Sequence, residues 1–442
     1  MELDKVDTVF IVMMENRSFD HMLGYLELSP HNRPVVGIKD AWLKNFVNRY
    51  QGQAYGPWHR SDVTINVDPP HERKDIDVQI GGEIPNAPMS GFVESYASSS
   101  EVAASDLPNV MAYYTSAEVP ITGFLAENFL VCDHWFACLP ASTQPNRLMA
   151  MSGYTMRPNT HSRPLENQDL VYDWLDAKGV SWRVYHEGFP FLLMMPKVAE
   201  RIATDLQQRF FRSLSWLKND LVSQPDFPSV VFIEPTYTSG PHLPGSADDD
   251  HPTTSVASGQ GFLRRVYEAV TSNPERWKKS ILIVTYDENG GFFDHVSPLQ
   301  FTTPQNHGEQ YPPFKTTGVR VPALIVSPLV QPGVYRGPFD HTSILKLLGS
   351  LYGDGNYSAD VAAHTHVGSL KDLPPAAANP GPNLVPPTAP PFSALGAKRT
   401  RPVGSIPDPL DLAFRNGLEY MREKFGAQAA IKFPEWSEYF TK

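Results

Sequence analysis

Two stretches of the sequence group oxygen-bearing side chains as an oxygen-ligated cation requires. Glu15-Asn16 opens the run Glu15-Asn16-Arg17-Ser18-Phe19-Asp20-His21, and Asp287-Glu288 opens Asp287-Glu288-Asn289-Gly290-Gly291-Phe292-Phe293-Asp294-His295. Glu15, Asp287 and Glu288 gathered in one cleft need either a counter-charge or raised pKa values. A divalent cation, with Asn16 as a fourth ligand, supplies that charge. An all-oxygen set favours calcium, magnesium or manganese, with zinc less suited. Taken singly, each acidic residue reads equally well as a helix cap or a solvated turn. Two such clusters, each followed by an Asp-His pair, point to shared chemistry. A third run, Ala141-Ser142-Thr143-Gln144-Pro145-Asn146-Arg147, places Ser142 and Thr143 just before a proline suited to a first helical turn. Either hydroxyl serves as a cap. Either is also an alcohol at a helix N-terminus, where backbone N–H groups favour an oxyanion and a phosphate. A nearby metal would lower its pKa and make it a nucleophile.

These residues need elements to hold them. Val6–Met14 is a short apolar run rich in strand formers, and similar runs recur at Ser181–His186, Ser229–Glu234, Ser280–Asp287 and Pro322–Ser327. Helical spacing marks Glu166–Lys178, Val198–Leu217, Ser255–Ser272 and His341–Tyr352, the last capped by Asp340. Strands alternating with helices predict an α/β fold, with a largely parallel central sheet flanked by helices on both faces. Ligands bind such sheets at the carboxyl ends of the strands. The first and fourth runs end in the two acidic clusters.

The expected organisation is a catalytic α/β domain over 1–370 with a loop-rich insertion at about 30–108, lying beside or over the site. A Pro-rich connector follows at 371–400, centred on Pro374–Phe392, and then a helical tail at 401–442 whose helix, Pro409–Gln428, docks back on the body. The chain has 442 residues and a formal net charge of -11, which disfavours grip on nucleic acid by bulk charge. No apolar stretch is long enough for a transmembrane helix. Acidic Glu2 and Asp4 precede the first apolar run, unlike a secretory signal. The chain as written is expected in the cytoplasm, with export by another route or a trimmed precursor left open. Cys132 and Cys138 lack the two-plus-two spacing of zinc sites and read as small buried side chains.

The three motifs together resemble a phosphoesterase family that includes plant and bacterial phospholipases C of the phosphatidylcholine-hydrolysing type and a bacterial acid phosphatase, and the resemblance spans roughly residues 6–350. It implies an alkaline-phosphatase-like fold. It also implies that Glu15, Asn16, Asp287 and Glu288 are metal ligands, that Thr143 is the nucleophile and joins them at the metal, and that His71 (in Asp-Pro-Pro-His), His251 (in Asp-His-Pro) and His295 line the phosphate site. Asn146, Arg147 and His186, which follows a predicted strand, are candidates for substrate binding. The expected reaction is hydrolysis of a phospholipid through a phosphothreonine, with a histidine, His251 or His295, as acid. The alternative is an acid phosphatase on soluble monoesters. A lipid substrate calls for an apolar shelf, for which Trp58, Trp135, Phe136, Phe292 and Phe293 are candidates, and leaves room for transient contact with a membrane surface.

Overall fold

Seven residues, Thr8–Met14, form β1 at the middle of the main sheet, and almost all of them are buried. Side chains alternate between the two faces of a strand, so continuous burial means that both faces are covered. In the computed structural model the other strands of this sheet are β2 (Leu130–Cys132), β3 (Trp182–His186), β4 (Phe211–Ser213), β5 (Val230–Glu234), β6 (Ser280–Tyr286), β7 (Ala323–Val326) and β8 (Gly333–Tyr335). The structure describes residues 1–41, 47–82, 86–242, 246–303, 307–308, 310–376, 384–388 and 408–442.

The eight strands run in the order β8-β2-β7-β6-β1-β5-β3-β4. The pairs from β6 through β1, β5 and β3 to β4 are parallel. β7 runs antiparallel to both β6 and β2, while β8 rejoins β2 in parallel. The sheet is therefore largely parallel, as the alternation of strands and helices predicts. All five apolar runs are strands. Ile11 and Met13 on one face line a small cavity together with helix α1 (Thr143–Ser152) and helix α3 (Thr342–Tyr352). Phe10, on the opposite face, has its ring centroid 6.0 Å from that of Phe227, over which Arg276 lies. Helix α2 (Val256–Val270) carries one long buried stripe that includes Phe262, Leu263 and Val266.

Two predicted helices change. Val198–Leu217 is broken, with a helix at Pro196–Thr204, then β4, then a helix at Leu217–Ser223. The Asp205 carboxylate is the cause: it accepts N–H bonds from Arg209, Phe210 and Phe211 at 2.8, 2.9 and 2.8 Å, turning the chain so that Phe211 pairs with Val184. The helix expected at Glu166–Lys178 starts later, at Val171. Glu166 is instead engaged by Arg157 Nη2 at 2.6 Å.

The insertion has its own small apolar core, in which Ile76, Met89, Phe92, Tyr96 and Val110 pack with Phe293 and Val319 of the main body. Its helix Arg73–Ile80 follows directly on His71 and Glu72. Much of the Pro-rich connector, 377–383 and 389–407, lies outside the described residues. Helix α4 (Pro409–Lys432) buries Leu410, Phe414, Leu418 and Met421. Lys432 Nζ donates to the carbonyls of Asp205 and Phe211. Cys132 and Cys138 are buried and free. Among the described residues, no helix is long and apolar enough to cross a membrane.

Candidate active site

Neighbouring parallel strands β1 and β6 end at the same level, and the residues that follow them meet. Asn16 adopts φ 59°, which turns the chain back so that its N–H donates to Asp287 Oδ1 at 3.1 Å. The Glu288 N–H donates to the same oxygen at 2.8 Å. Gly290 N donates to Glu288 Oε2 at 2.7 Å. Gly290 has φ 60°, and a Cβ there would come within 2.3 Å of the Asn16 carbonyl oxygen, so the close approach of the two loops requires glycine. Ser18 Oγ donates to the Phe293 carbonyl at 2.6 Å, and Phe292 stacks on His21 with centroids 4.1 Å apart. The two acidic motifs are thus laced together.

Glu15, Asn16, Asp287 and Glu288 are all completely buried. Arg147 stands behind them: its Nη2 is 3.2 Å from Glu15 Oε1 and its Nε donates to Asp287 Oδ2 at 3.2 Å. Its remaining donors reach Tyr237 Oη and the carbonyls of Met13 and Met14. One guanidinium does not neutralise three buried carboxylates. Burial raises the Glu15 pKa well above its ordinary value, with Arg147 pulling against the like charges of Asp287, Asp249 and Glu288. Burial likewise pushes Glu288 up to about 8, with His71 opposing and Asp287 assisting.

The donor set fits a divalent cation. Both Glu15 carboxylate oxygens, Asn16 Oδ1 and Glu288 Oε1 are buried and have no hydrogen-bond partner among the described residues. The Arg147 contact to Glu15 meets an ion-pair distance without hydrogen-bond geometry. Orphaned buried oxygens are rare because each has lost its water without replacement. Four of them on adjacent loops, all oxygen, are what a hard cation would satisfy.

The insertion closes one side. His71 Nε2 is 3.9 Å from Glu288 Oε1 and 3.4 Å from Asn16 Nδ2, while its Nδ1 donates to the Pro69 carbonyl at 2.6 Å. Burial alone would lower the His71 pKa, but Glu288, Asp68 and Glu72 around it lift it to about 10. The His251 ring lies 5.9 Å from that of His71, and its Nε2 is 3.7 Å from Asp68 Oδ2. His295 Nδ1 donates to Asp20 Oδ2 at 2.6 Å. Asp20 in turn meets Arg320, which also binds Asp294.

The Ala141–Arg147 segment carries Thr143 at the first position of α1, with Ser142 at its N-cap and Thr143 buried. The Ser142 hydroxyl is committed elsewhere: it donates to Glu72 Oε2 at 2.7 Å and lies 2.9 Å from Thr160 Oγ1. Thr143 stands one helical turn before Arg147, on the same face of α1, and Arg147 is the residue that grips Glu15 and Asp287. Thr143 thus begins the helix whose next turn carries Arg147 to the acidic cluster, and the adjacent serine is pinned to the insertion.

Several expectations change here. Arg147 turns its guanidinium to Glu15 and Asp287 and also lines the small cavity with Ile11, Met13 and Phe191. Asn146 shapes its own loop, with Nδ2 donating to the carbonyls of Leu139, Ala141 and Ser142 at 3.2, 2.6 and 3.2 Å. His186 is not brought to the cluster: its Nδ1 donates to Gly188, and its ring lies 5.9 Å from that of Phe433 at the end of α4. Of the aromatic shelf, Trp135, Phe136, Phe292 and Phe293 are core residues, and only Trp58 is exposed. Asp68 and Glu72 went unrecognised, although both flank His71 in the flagged Asp-Pro-Pro-His segment.

Comparisons with known proteins bear on this geometry. A family model described as the phosphoesterase family matches residues 6–353. Non-specific phospholipase C6 of Arabidopsis thaliana is 32% identical over 403 residues, covering 81% of this chain and 70% of that protein. Phospholipase C B of Mycobacterium tuberculosis (strain ATCC 25618 / H37Rv) is 29% identical over 410 residues, covering 79% and 74%. Among solved structures, a phosphonate monoester hydrolase of Agrobacterium radiobacter aligns with 55% of this chain and 73% of its own at 13% identity and a TM-score of 0.32. A protein in the alkaline phosphatase superfamily from Vibrio parahaemolyticus aligns with 55% and 62% at 12% identity and a TM-score of 0.33. The match across three quarters of the chain, over the segment that carries all three motifs, makes this protein a member of the phosphoesterase family and a phosphoric ester hydrolase.

Proposed function

We propose that this chain is a metal-dependent phospholipase C that releases a phosphorylated head group from a phospholipid through a phosphothreonine at Thr143. The observation that carries the reading is the disposition of α1: Thr143 leads the helix, Ser142 is tied to Glu72, and Arg147 one turn on is anchored in the ligand carboxylates. The lipid class of substrate rests on the names of the relatives in Arabidopsis and Mycobacterium.

Glu15, Asn16, Asp287 and Glu288 would hold the cation, which supplies positive charge that favours the Thr143 alkoxide and offsets charge on the phosphoryl oxygens. Thr143 Oγ1 attacks phosphorus in line with the leaving oxygen, and the N-terminus of α1 favours the negative charge that builds beside it. His71, which lies beside Asn16 and Glu288 and next to His251, is placed to bind a phosphoryl oxygen. His251 or His295 protonates the departing alcohol, each steadied by a carboxylate, Asp68 or Asp20. Water then attacks the phosphothreonine from the vacated side, the same histidine acting as base, and the free enzyme is restored.

The test is product analysis on metal-stripped and metal-restored protein, offered phosphatidylcholine and a simple aryl phosphate side by side. Metal-dependent appearance of phosphocholine and diacylglycerol is expected. Free phosphate from the aryl ester, with no phosphocholine, would overturn the lipid assignment in favour of a monoester phosphatase.

A further inference from the structure

A second convergence of ligand-bearing side chains lies outside the machinery described above. Asp340 ends the short strand Phe339–Asp340, which pairs in parallel with Trp135–Phe136. His364 and His366 come from the turn that follows the short helix Ala359–Ala363. Asp340 Oδ2 is 3.5 Å from His364 Nδ1 and 3.3 Å from His366 Nε2. One ligand atom from each of the three lies within 4.8 Å of the others. Asp340 and His364 are completely buried, and the His366 side chain is 11% exposed.

The hydrogen bonding of this trio does not close. Asp340 Oδ2 and both ring nitrogens of His364 and of His366 have no hydrogen-bond partner among the described residues. The other Asp340 oxygen is already taken, accepting from Thr342 N at 2.8 Å and from Thr342 Oγ1. Lys346, on the same helix, spends its ammonium on the carbonyls of His364 and Val367 at 2.6 and 2.7 Å. Phe301 covers the histidines, stacking on His366 with centroids 4.1 Å apart and lying 4.6 Å from the His364 ring. Buried polar atoms are normally paired, so the convergence of Asp340 Oδ2, His364 Nδ1 and His366 Nε2 without hydrogen-bond geometry calls for an explanation. A cation that takes a lone pair from each residue gives one.

We propose that Asp340, His364 and His366 form a second metal site that takes a zinc-class transition ion. Two imidazole nitrogens and one carboxylate oxygen are a borderline donor set, which suits zinc and serves calcium or magnesium poorly. Cys138, buried and free, interacts with Asp340. The site is structural, because its position lets it brace the active site from behind. His341, next to Asp340, accepts from Trp135 Nε1 at 3.2 Å and donates from Nε2 to the Asp287 carbonyl at 2.7 Å. An ion at Asp340 would fix the strand end that positions His341, and it would tie the 364–366 turn to that strand.

The experiment counts metal and measures thermal stability on the full chain. Protein stripped with a chelator is reloaded with zinc alone, dialysed, and assayed by elemental analysis and by Tm. Wild type should retain one zinc equivalent that His366→Gln and His364→Gln/His366→Gln lose, and zinc should raise the Tm of wild type but not of the double variant. A Glu15→Gln/Glu288→Gln variant should keep that equivalent. His366→Gln changes the most exposed of the three ligands and so guards against simple misfolding. Cobalt loaded in place of zinc should give the d–d absorption of an imidazole-ligated ion in wild type and lose it in His366→Gln. Equal zinc content and equal Tm response in wild type and His366→Gln would overturn the proposal. So would loss of the zinc equivalent from the Glu15/Glu288 variant alone, which would assign the ion to the first cluster.

Discussion

The two carboxylate clusters solve the same problem with different materials. Around Glu15 and Asp287 every free donor is an oxygen, and a guanidinium, Arg147, already supplies part of the counter-charge. Around Asp340 two imidazoles face the carboxylate and the nearest ammonium is turned onto backbone carbonyls. The first arrangement tolerates changing charge, because Arg147 stays when substrate and product come and go. The second has no such reserve and suits a constant occupant. A buried carboxylate therefore says little by itself; what surrounds it separates a working site from a supporting one.

The comparison breaks most sharply at Thr143. Thr143→Ala should lose at least about a thousandfold in turnover, while Thr143→Ser should retain much of it. Near wild-type turnover of the alanine variant would sink the mechanism. Stripping the first cluster of metal should cost a similar factor, with activity returning on addition of calcium, magnesium or manganese. Recovery with none of them would remove the hard-cation assignment. Next in size, Arg147→Met leaves Glu15 and Asp287 buried without their guanidinium. A loss of about 3–5 kcal/mol is expected in urea unfolding of metal-free protein, and less with metal bound. Equal losses in both states would mean that Arg147 and the cation do not share one counter-charge role.

A smaller effect involves His186, which separates folding from catalysis. Burial lowers its pKa to about 4, with Lys432 adding to the effect. The unfolded chain, with an ordinary histidine pKa of about 6.5, takes up the proton first. Its contribution is therefore present above about pH 6.5 and is lost as pH falls toward the folded value, at roughly 1.4 kcal/mol per pH unit. His186→Gln should flatten the fall in the free energy of urea unfolding between pH 7 and 5, by about 2 kcal/mol, and leave turnover nearly untouched. An unchanged slope would show that His186 is not the group being titrated. Smallest of all, Ser142→Ala removes the bond to Glu72 and should cost about 1 kcal/mol of stability, with turnover reduced less than tenfold. If its turnover falls as far as that of Thr143→Ala, the roles of the two hydroxyls are reversed.

What was legible in the sequence follows from length and position. Val6–Met14 and Ser280–Asp287 read as strands because both faces are buried, and the acidic pairs read as ligands because they come straight after those strands. Leu130–Cys132, Phe211–Ser213 and Gly333–Tyr335 are three-residue strands, too short to show a period. The contacts of Arg147 and Asn146 were not legible because a motif fixes which residues occur, not which way they point; one turns to carboxylates and the other back to its own loop. The aromatic shelf failed for a related reason, since a Phe beside a site and a Phe beneath it look alike in sequence. Asp340 reads as a helix cap, and it does accept from Thr342 N. Its second oxygen meets histidines that follow another helix, a contact made by tertiary folding alone.

The C-terminal helix has a consequence for the order in which the molecule is completed. Phe414 of α4 packs on Phe191 and Tyr237, with centroids 5.8 and 5.7 Å away, and those two rings lie against the Arg147 guanidinium. Every residue of the acidic cluster and the nucleophile loop leaves the ribosome before Phe414 does. The last long helix of the chain thus completes the packing behind a residue that contacts Glu15 and Asp287.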